Sequence, residues 1–144
     1  MDALALLPHR PPMRLLDVVA ELIPGQRARG VREVRDDDFF LDGHFPGEPI
    51  VPAVILVEMI AQVGGLAAGA PQDPNTSSEP VRLRVAALGP FRFKDAVRPG
   101  ARLTIDARVL GRFGGLFKVE GQVHADGVLV ADGTVTLGSA GPPA

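Results

Sequence analysis

The most apolar stretch of the chain predicts a buried helix. Residues 52–66 are almost wholly apolar, and Glu58 and Gln62 are the two polar side chains within them. A helix that is apolar on every side is typical of the interior of a domain. Pro52 suits the first helical position, because proline there gives up only an amide that would lack an intrahelical partner. We therefore predict a buried helix that begins at Pro52 and extends to about Leu66.

The segments on both sides of this helix predict strands, because apolar residues partly alternate in them and turn residues separate them. Asp126-Gly127 is the strongest of these turn signals and is typical of a β-hairpin. Together the segments predict an antiparallel sheet of five to seven strands packed on one helix, which is an α+β domain. The predicted strands are residues 13–23, 26–34, 81–94 with a kink or bulge at Gly89-Pro90, 101–110, 116–125 and 128–137.

The extent of the domain follows from the same pattern. We expect residues 1–138 to form a single domain and residues 139–144, which are small and carry no structural signal, to form a flexible C-terminal tail. The short apolar start lacks the basic residues and the length of a signal peptide. We therefore expect a cytoplasmic protein. Charged and polar groups near the middle of the predicted helix argue against a membrane span.

Composition narrows the possible functions only slightly. The chain of 144 residues is 46% hydrophobic and 22% charged with a formal net charge of −2, so a nucleic-acid partner is not expected. It contains no cysteine, which excludes disulfides and thiolate ligands. Its three histidines lie far apart in the sequence without the spacing of metal ligands, and no metal site is expected.

One histidine and one glutamate are candidates for proton-transfer chemistry. His44 lies in a turn rich in glycine and proline, and Glu58 lies inside the apolar run, where its neighbours favour an un-ionised carboxyl group. A base, an acid and a dry environment are what proton-transfer catalysis requires. The simpler interpretations are a loop histidine that bonds to the backbone and a helix-edge glutamate that reaches solvent.

Motifs over nearly the whole chain are similar to those of one enzyme family. In order they are Leu7-Pro8-His9-Arg10 with Leu15-Leu16-Asp17, Gly43-His44-Phe45-Pro46 with Pro49 and Pro52, Glu58 with Ala61-Gln62, and Phe91-Arg92-Phe93-Lys94 with Val97-Arg98-Pro99-Gly100. This series resembles the 3-hydroxyacyl-acyl-carrier-protein dehydratases of fatty acid synthesis. The resemblance implies the hot-dog fold, in which a curved antiparallel sheet wraps a long central helix. It also implies a homodimer with the active site at the subunit interface and, in many relatives, a trimer of dimers.

The resemblance also implies catalytic roles. His44 would remove a proton from the carbon next to the thioester carbonyl, and Glu58 of the other subunit would protonate the departing hydroxyl group. The substrate would be carried on the phosphopantetheine arm of an acyl carrier protein. No metal or redox cofactor would be needed.

Other residues are expected to orient the substrate or the carrier. Gln62 lies one helical turn after Glu58 and could hold its carboxyl group. Backbone amides at Ala53, near the helix start, and at Gly47 could stabilise negative charge on the thioester oxygen. The family usually has glycine at position 53, and the methyl group of Ala53 puts substrate placement in question. The basic residues expected to dock the carrier protein are Arg92, Lys94 and Arg98.

Three rival functions are compatible with this fold. The related dehydratase-isomerases carry aspartate at the acid position, so Glu58 argues against that branch. A hot-dog thioesterase is a second rival, although the histidine–glutamate pair favours dehydration. A non-catalytic protein that binds acyl thioesters is the third, and Ala53 is the feature that favours it.

Overall fold

The computed structural model describes residues 2–44, 47–73 and 80–139. Short 3-10 turns lie at Ala3–Leu6 and Phe39–Leu41. The remaining elements, in chain order, are β1 Val18–Ile23, β2 Arg27–Glu33, α1 Ala53–Gly69, β3 Leu83–Phe93, β4 Arg102–Phe113, β5 Leu116–Ala125 and β6 Val128–Ser139.

The strands form one sheet that encloses the helix. Its order is β1-β2-β4-β5-β6-β3, and each neighbouring pair is antiparallel. The helix α1 contacts all six strands, which explains why its sequence is apolar on every side. A central helix wrapped by an antiparallel sheet is the hot-dog fold, and the predicted fold class is confirmed. None of the helices within the described ranges is long and apolar enough to cross a membrane.

The helix lies unusually close to β5. A Cβ atom built on Gly121 would lie 2.3 Å from Cγ2 of Ile60, so the helix occupies the space that a side chain would need. One turn further along α1, a Cβ atom on Gly64 would lie 2.9 Å from Cγ1 of Val119. Gly64 thus serves close packing against the sheet, and the helix continues beyond the predicted Leu66 to Gly69.

Several predicted strands are confirmed with shifted ends. Asp126 and Gly127 adopt the positive φ angles, 49° and 86°, that a tight hairpin between β5 and β6 requires. The register between β3 and β6 shifts between Leu88 and Phe91, which places an irregularity at the predicted kink. The last strand, β6, ends at Ser139, which is one residue inside the predicted tail.

The prediction of a strand from residue 13 was wrong for its first part, because β1 begins only at Val18. Parts of two other predicted segments lie outside the described residues, as do residues 74–79 after the helix. The two parts are Phe45 and Pro46 of the histidine motif and residues 140–144 of the tail.

Candidate active site

His44 is held in the loop between β2 and α1 by two backbone contacts. Its amide donates to the carbonyl oxygen of Leu41 at 3.1 Å, and its ring Nδ1 lies 3.0 Å from the carbonyl oxygen of Ile50. A carbonyl oxygen can only accept, so Nδ1 carries the hydrogen in this contact. In the neutral ring Nε2 therefore carries the lone pair, which is the form that a general base needs.

Two features position this loop: a buried ion pair before it and two glycines next to His44 and Pro46. Asp38 begins the turn Phe39–Leu41, and its carboxylate accepts hydrogen bonds from the buried Arg32 side chain and from the amide of Arg35. Gly43 and Gly47 on either side of His44 have φ angles of 72° and 87°, a region that residues with a side chain rarely adopt. The anchored turn and Gly43 thus position the backbone that leads into His44.

Three segments meet beside this loop. The residue after Ile50 is Val51, whose amide donates to the carbonyl oxygen of Val97 at 2.8 Å. Pro52 then caps the start of α1, and Arg98 follows Val97. Consequently the histidine loop, the helix N-terminus and the basic turn before β4 lie at the same end of the domain.

The helix start offers backbone donors at this end. The amides of Ala53 and Val54 lie in the first turn, where a helix provides no acceptor for them, and Pro52 supplies no side-chain cap. Ala53 is exposed in the protomer, as is Gly47 in the preceding loop. Ala53 and Gly47 are the residues whose amides were expected from the sequence to face a developing oxyanion, and both residues are exposed to solvent in the protomer.

Glu58 lies one turn into α1 and pairs with a residue from the N-terminal segment. Its Oε1 is 3.6 Å from Nε2 of His9, and the two side chains are 29% and 28% exposed. The distance is longer than a hydrogen bond but within the range of an ion pair. Glu58 is therefore partly shielded by a second histidine, a contact not predicted from the sequence.

Comparison with known proteins connects this geometry to one family. Residues 7–134 match the FabA-like domain family. The chain belongs to the FabA-like family. It is 37% identical over 132 residues to the 3-hydroxyacyl-[acyl-carrier-protein] dehydratase FabZ of Syntrophotalea carbinolica, with 92% of this chain and 88% of that relative covered. The FabZ of Nitratidesulfovibrio vulgaris (strain Miyazaki F) is 37% identical over 133 residues, covering 92% and 85%.

A solved structure supports the fold of this FabA-like domain independently. The dehydratase heterocomplex ApeI:P from Xenorhabdus doucetiae superposes with a TM-score of 0.83, covering 98% of this chain and 92% of that one. The sequence identity is 20%, so this likeness concerns the fold alone.

Gln62 has a different task in the FabA-like domain from the one expected. Its side chain is 1% exposed, its Nε2 donates to the carbonyl oxygen of Met13 at 2.8 Å, and its Oε1 accepts from the amide of Leu15 at 3.0 Å. The amide group thus fixes the N-terminal segment on α1 and is directed at backbone rather than at the carboxyl group of Glu58. Because two backbone groups of the segment bond to this side chain, residues 13–15 are drawn to the helix.

The basic residues predicted to dock a carrier lie on the surface. Arg92 of β3 is 77% exposed, and its Nε lies 3.3 Å from Oδ1 of Asp132. Lys94 and Arg98 are exposed, and neither forms an ion pair with another described residue. Among residues 2–44, 47–73 and 80–139, no three histidine or carboxylate side chains converge as metal ligands.

Proposed function

We propose that this FabA-like domain is a hydro-lyase that dehydrates 3-hydroxyacyl-acyl-carrier-protein thioesters to trans-2-enoyl thioesters in fatty acid or related acyl-chain biosynthesis. The geometric observation that supports the proposal is the contact between His44 Nδ1 and the Ile50 carbonyl, which leaves the lone pair of the neutral ring on Nε2. Its support from relatives is the 37% identity to named dehydratases over 92% of the chain.

The reaction transfers two protons in opposite directions. Nε2 of His44 takes a proton from the carbon next to the thioester carbonyl, and the electron pair of that C–H bond forms the new double bond. The bond to the 3-hydroxyl oxygen breaks as the carboxyl group of Glu58 supplies a proton, so water leaves. The elimination is redox-neutral, and an acid and a base account for it.

Backbone amides assist the first proton transfer in this proposal. Removing the proton next to a thioester places negative charge on the thioester oxygen, and the first-turn amides of α1 at Ala53, with the amide of Gly47, are the proposed donors. The methyl group of Ala53 leaves its own amide in place. The methyl group would instead limit how closely the thioester can approach the amide.

The proposed active form is a homodimer, with His44 of one protomer acting together with Glu58 of the other, and a trimer of such dimers is the further assembly that the resemblance implies. Support comes from β3, which is an edge strand of the sheet. It exposes the large apolar residues Val85, Leu88 and Phe93, and an exposed apolar edge is suited to pairing with a second copy. We place the reaction in the cytoplasm, where the carrier protein would deliver its substrate.

The substrate arrives on the phosphopantetheine arm of an acyl carrier protein, and Arg92, Lys94 and Arg98 are the proposed docking residues. Arg98 is the best supported, because the bond between Val51 and Val97 places it beside the helix start. Arg92 already pairs with Asp132, which offsets part of its charge. An acidic carrier bound at this end of the domain would bring its arm to the histidine loop.

Reversing the charge of Arg98 tests the docking proposal. Arg98→Glu is expected to raise KM for an enoyl thioester on the carrier protein by about 5- to 10-fold and to leave kinetics with a pantetheine-bound substrate unchanged. Lys118→Glu is the matched control, because Lys118 is exposed on β5 and pairs with Gly111, toward the opposite end of β4. An equal change in KM for both variants would contradict the assignment.

The activity itself is tested by the reverse reaction. Purified protein incubated with a trans-2-enoyl pantetheine thioester is expected to hydrate it, which is followed as loss of conjugated absorbance. Release of free thiol and free acid would instead indicate a thioesterase. Saturable binding without turnover would indicate a non-catalytic acyl-thioester-binding protein.

A further inference from the structure

The pair formed by His9 and Glu58 is a feature that the proposed reaction does not explain. Nε2 of His9 lies 3.6 Å from Oε1 of Glu58, and both side chains are more than two-thirds buried, at 28% and 29% exposure. A histidine this near the proposed catalytic acid can influence how the carboxyl group is oriented. The question is whether the fold holds His9 there.

The chain on both sides of His9 is anchored to the domain. Leu6 and Leu7 before it are 3% and 2% exposed, and the guanidinium group of Arg10 donates to the carbonyl oxygens of Leu7 and His9, both at 3.3 Å. After it, the side chain of Gln62 binds the backbone of residues 13 and 15. Gln62 lies one helical turn after Glu58, so the two side chains lie on the same face of α1. The segment that carries His9 is therefore held on the helix face that presents the carboxyl group of Glu58.

The surroundings of the ring select its tautomer. Nδ1 of His9 is buried and has no hydrogen-bond partner within the described part of the chain. A hydrogen on Nδ1 would be a buried donor without an acceptor, and it would leave the lone pair of Nε2 facing the oxygen of Glu58. The tautomer with its hydrogen on Nε2 avoids both costs and directs the hydrogen toward Oε1.

We propose that His9 is a positioning residue for Glu58: when substrate binds, the separation of 3.6 Å shortens to a hydrogen bond in which His9 donates Nε2–H to Oε1, and this bond turns Oε2 toward the departing hydroxyl group. This inference rests on the proposed role of Glu58 as the acid. When Oε2–H gives its proton to the hydroxyl oxygen and water leaves, Glu58 becomes a carboxylate. The bond from His9 then becomes charge-assisted and stronger, so it stabilises the transition state more than the substrate complex.

Two amide variants separate orientation from mere space filling. The side-chain amide of glutamine can place its nitrogen near the position of Nε2, whereas that of asparagine reaches only about as far as Nδ1. We expect His9→Asn to lower kcat for hydration of an enoyl thioester by about 10- to 100-fold with KM little changed. His9→Gln is expected to retain kcat within about threefold, since it keeps the donor. Equal kcat values for the two variants would overturn the proposal.

Repeating the His9 substitution in the Glu58→Gln variant distinguishes failure of this inference from failure of the proposed function. With Glu58→Gln in place, His9→Asn is expected to cost no further activity, whereas a purely structural role would cost the same in both backgrounds. If Glu58→Gln alone keeps full activity, the proposed function of Glu58 fails. If it loses activity while His9→Asn keeps it, only the role of His9 fails.

The tautomer of His9 can be measured in the wild-type protein, and a variant is needed only to assign its signals. In ¹⁵N-histidine NMR spectra near neutral pH, the ring of His9 is expected to show the Nε2–H tautomer with Nδ1 unprotonated. The absence of its signals from the His9→Gln spectrum would assign them. A hydrogen on Nδ1 of His9 would contradict the proposal.

Discussion

Replacing His44 by alanine is expected to lower kcat/KM for hydration of an enoyl thioester by about 10³-fold or more, since a general base contributes about 10² to 10⁴. In the proposed reaction this ring takes the proton next to the thioester carbonyl, and its contact with the Ile50 carbonyl keeps the lone pair of the neutral ring on Nε2. The loss should appear in kcat, because the imidazole acts on the reacting atoms. Steady-state kinetics with a pantetheine-bound substrate measures it without the carrier.

The control for this variant is His124→Ala. His124 lies on β5 at the end that leads to the Asp126-Gly127 turn, and it is half-buried like His44. Its removal is expected to leave kcat within about twofold, because it contributes nothing to the proposed chemistry. Thermal unfolding of both variants checks that they fold. Substantial hydration by a folded His44→Ala protein would show that another group is the base.

Replacing Glu58 by glutamine is expected to lower kcat by about 10²- to 10³-fold with little change in KM. The amide has nearly the size and shape of the carboxyl group, so packing on α1 and substrate binding are kept. It lacks an acidic proton to give to the departing hydroxyl group. The effect is thus concentrated on the chemical step, which single-turnover measurements with a 3-hydroxyacyl thioester would isolate.

Glu120→Gln is the matched control for this second variant. Glu120 is a half-exposed carboxylate on β5 that pairs with Arg108 at 3.2 Å. Neutralising it removes one surface ion pair, which typically changes stability by less than about 1 kcal/mol. Activity close to that of the wild type is therefore expected. A Glu58→Gln protein as active as this control would remove Glu58 from the mechanism.

Much of the fold could be predicted because local patterns and global packing agree. The helix α1 is apolar on every side, and the sheet does surround it. The Asp126-Gly127 turn forms the expected hairpin. The position of β3 at the edge beside β6 could not be read from the chain, because it depends on pairing between distant segments. The start of β1 was misjudged because apolar residues before it serve the core while their backbone bonds to Gln62.

The two proposed catalytic residues could be chosen from the sequence because they lie in recognisable motifs, whereas contacts between distant segments could not be predicted. His44 and Glu58 stood out as a histidine in a glycine-proline turn and a carboxyl group in an apolar run. The partner of Gln62 and the contact between His9 and Glu58 depend on how the N-terminal segment crosses α1. The only signal for His9 was its place in the Leu7-Pro8-His9-Arg10 motif. No spacing rule connects that motif to the helix.

The acceptor that orients the His44 ring is a main-chain carbonyl, at Ile50. Every amino acid carries that oxygen, so no single substitution at position 50 can delete it. The proposed base is in this way protected against point mutation of its partner, whereas a ring oriented by an aspartate would lose its support through one codon change. Relatives that keep this backbone contact can vary the side chain at position 50 without losing the orientation of the ring.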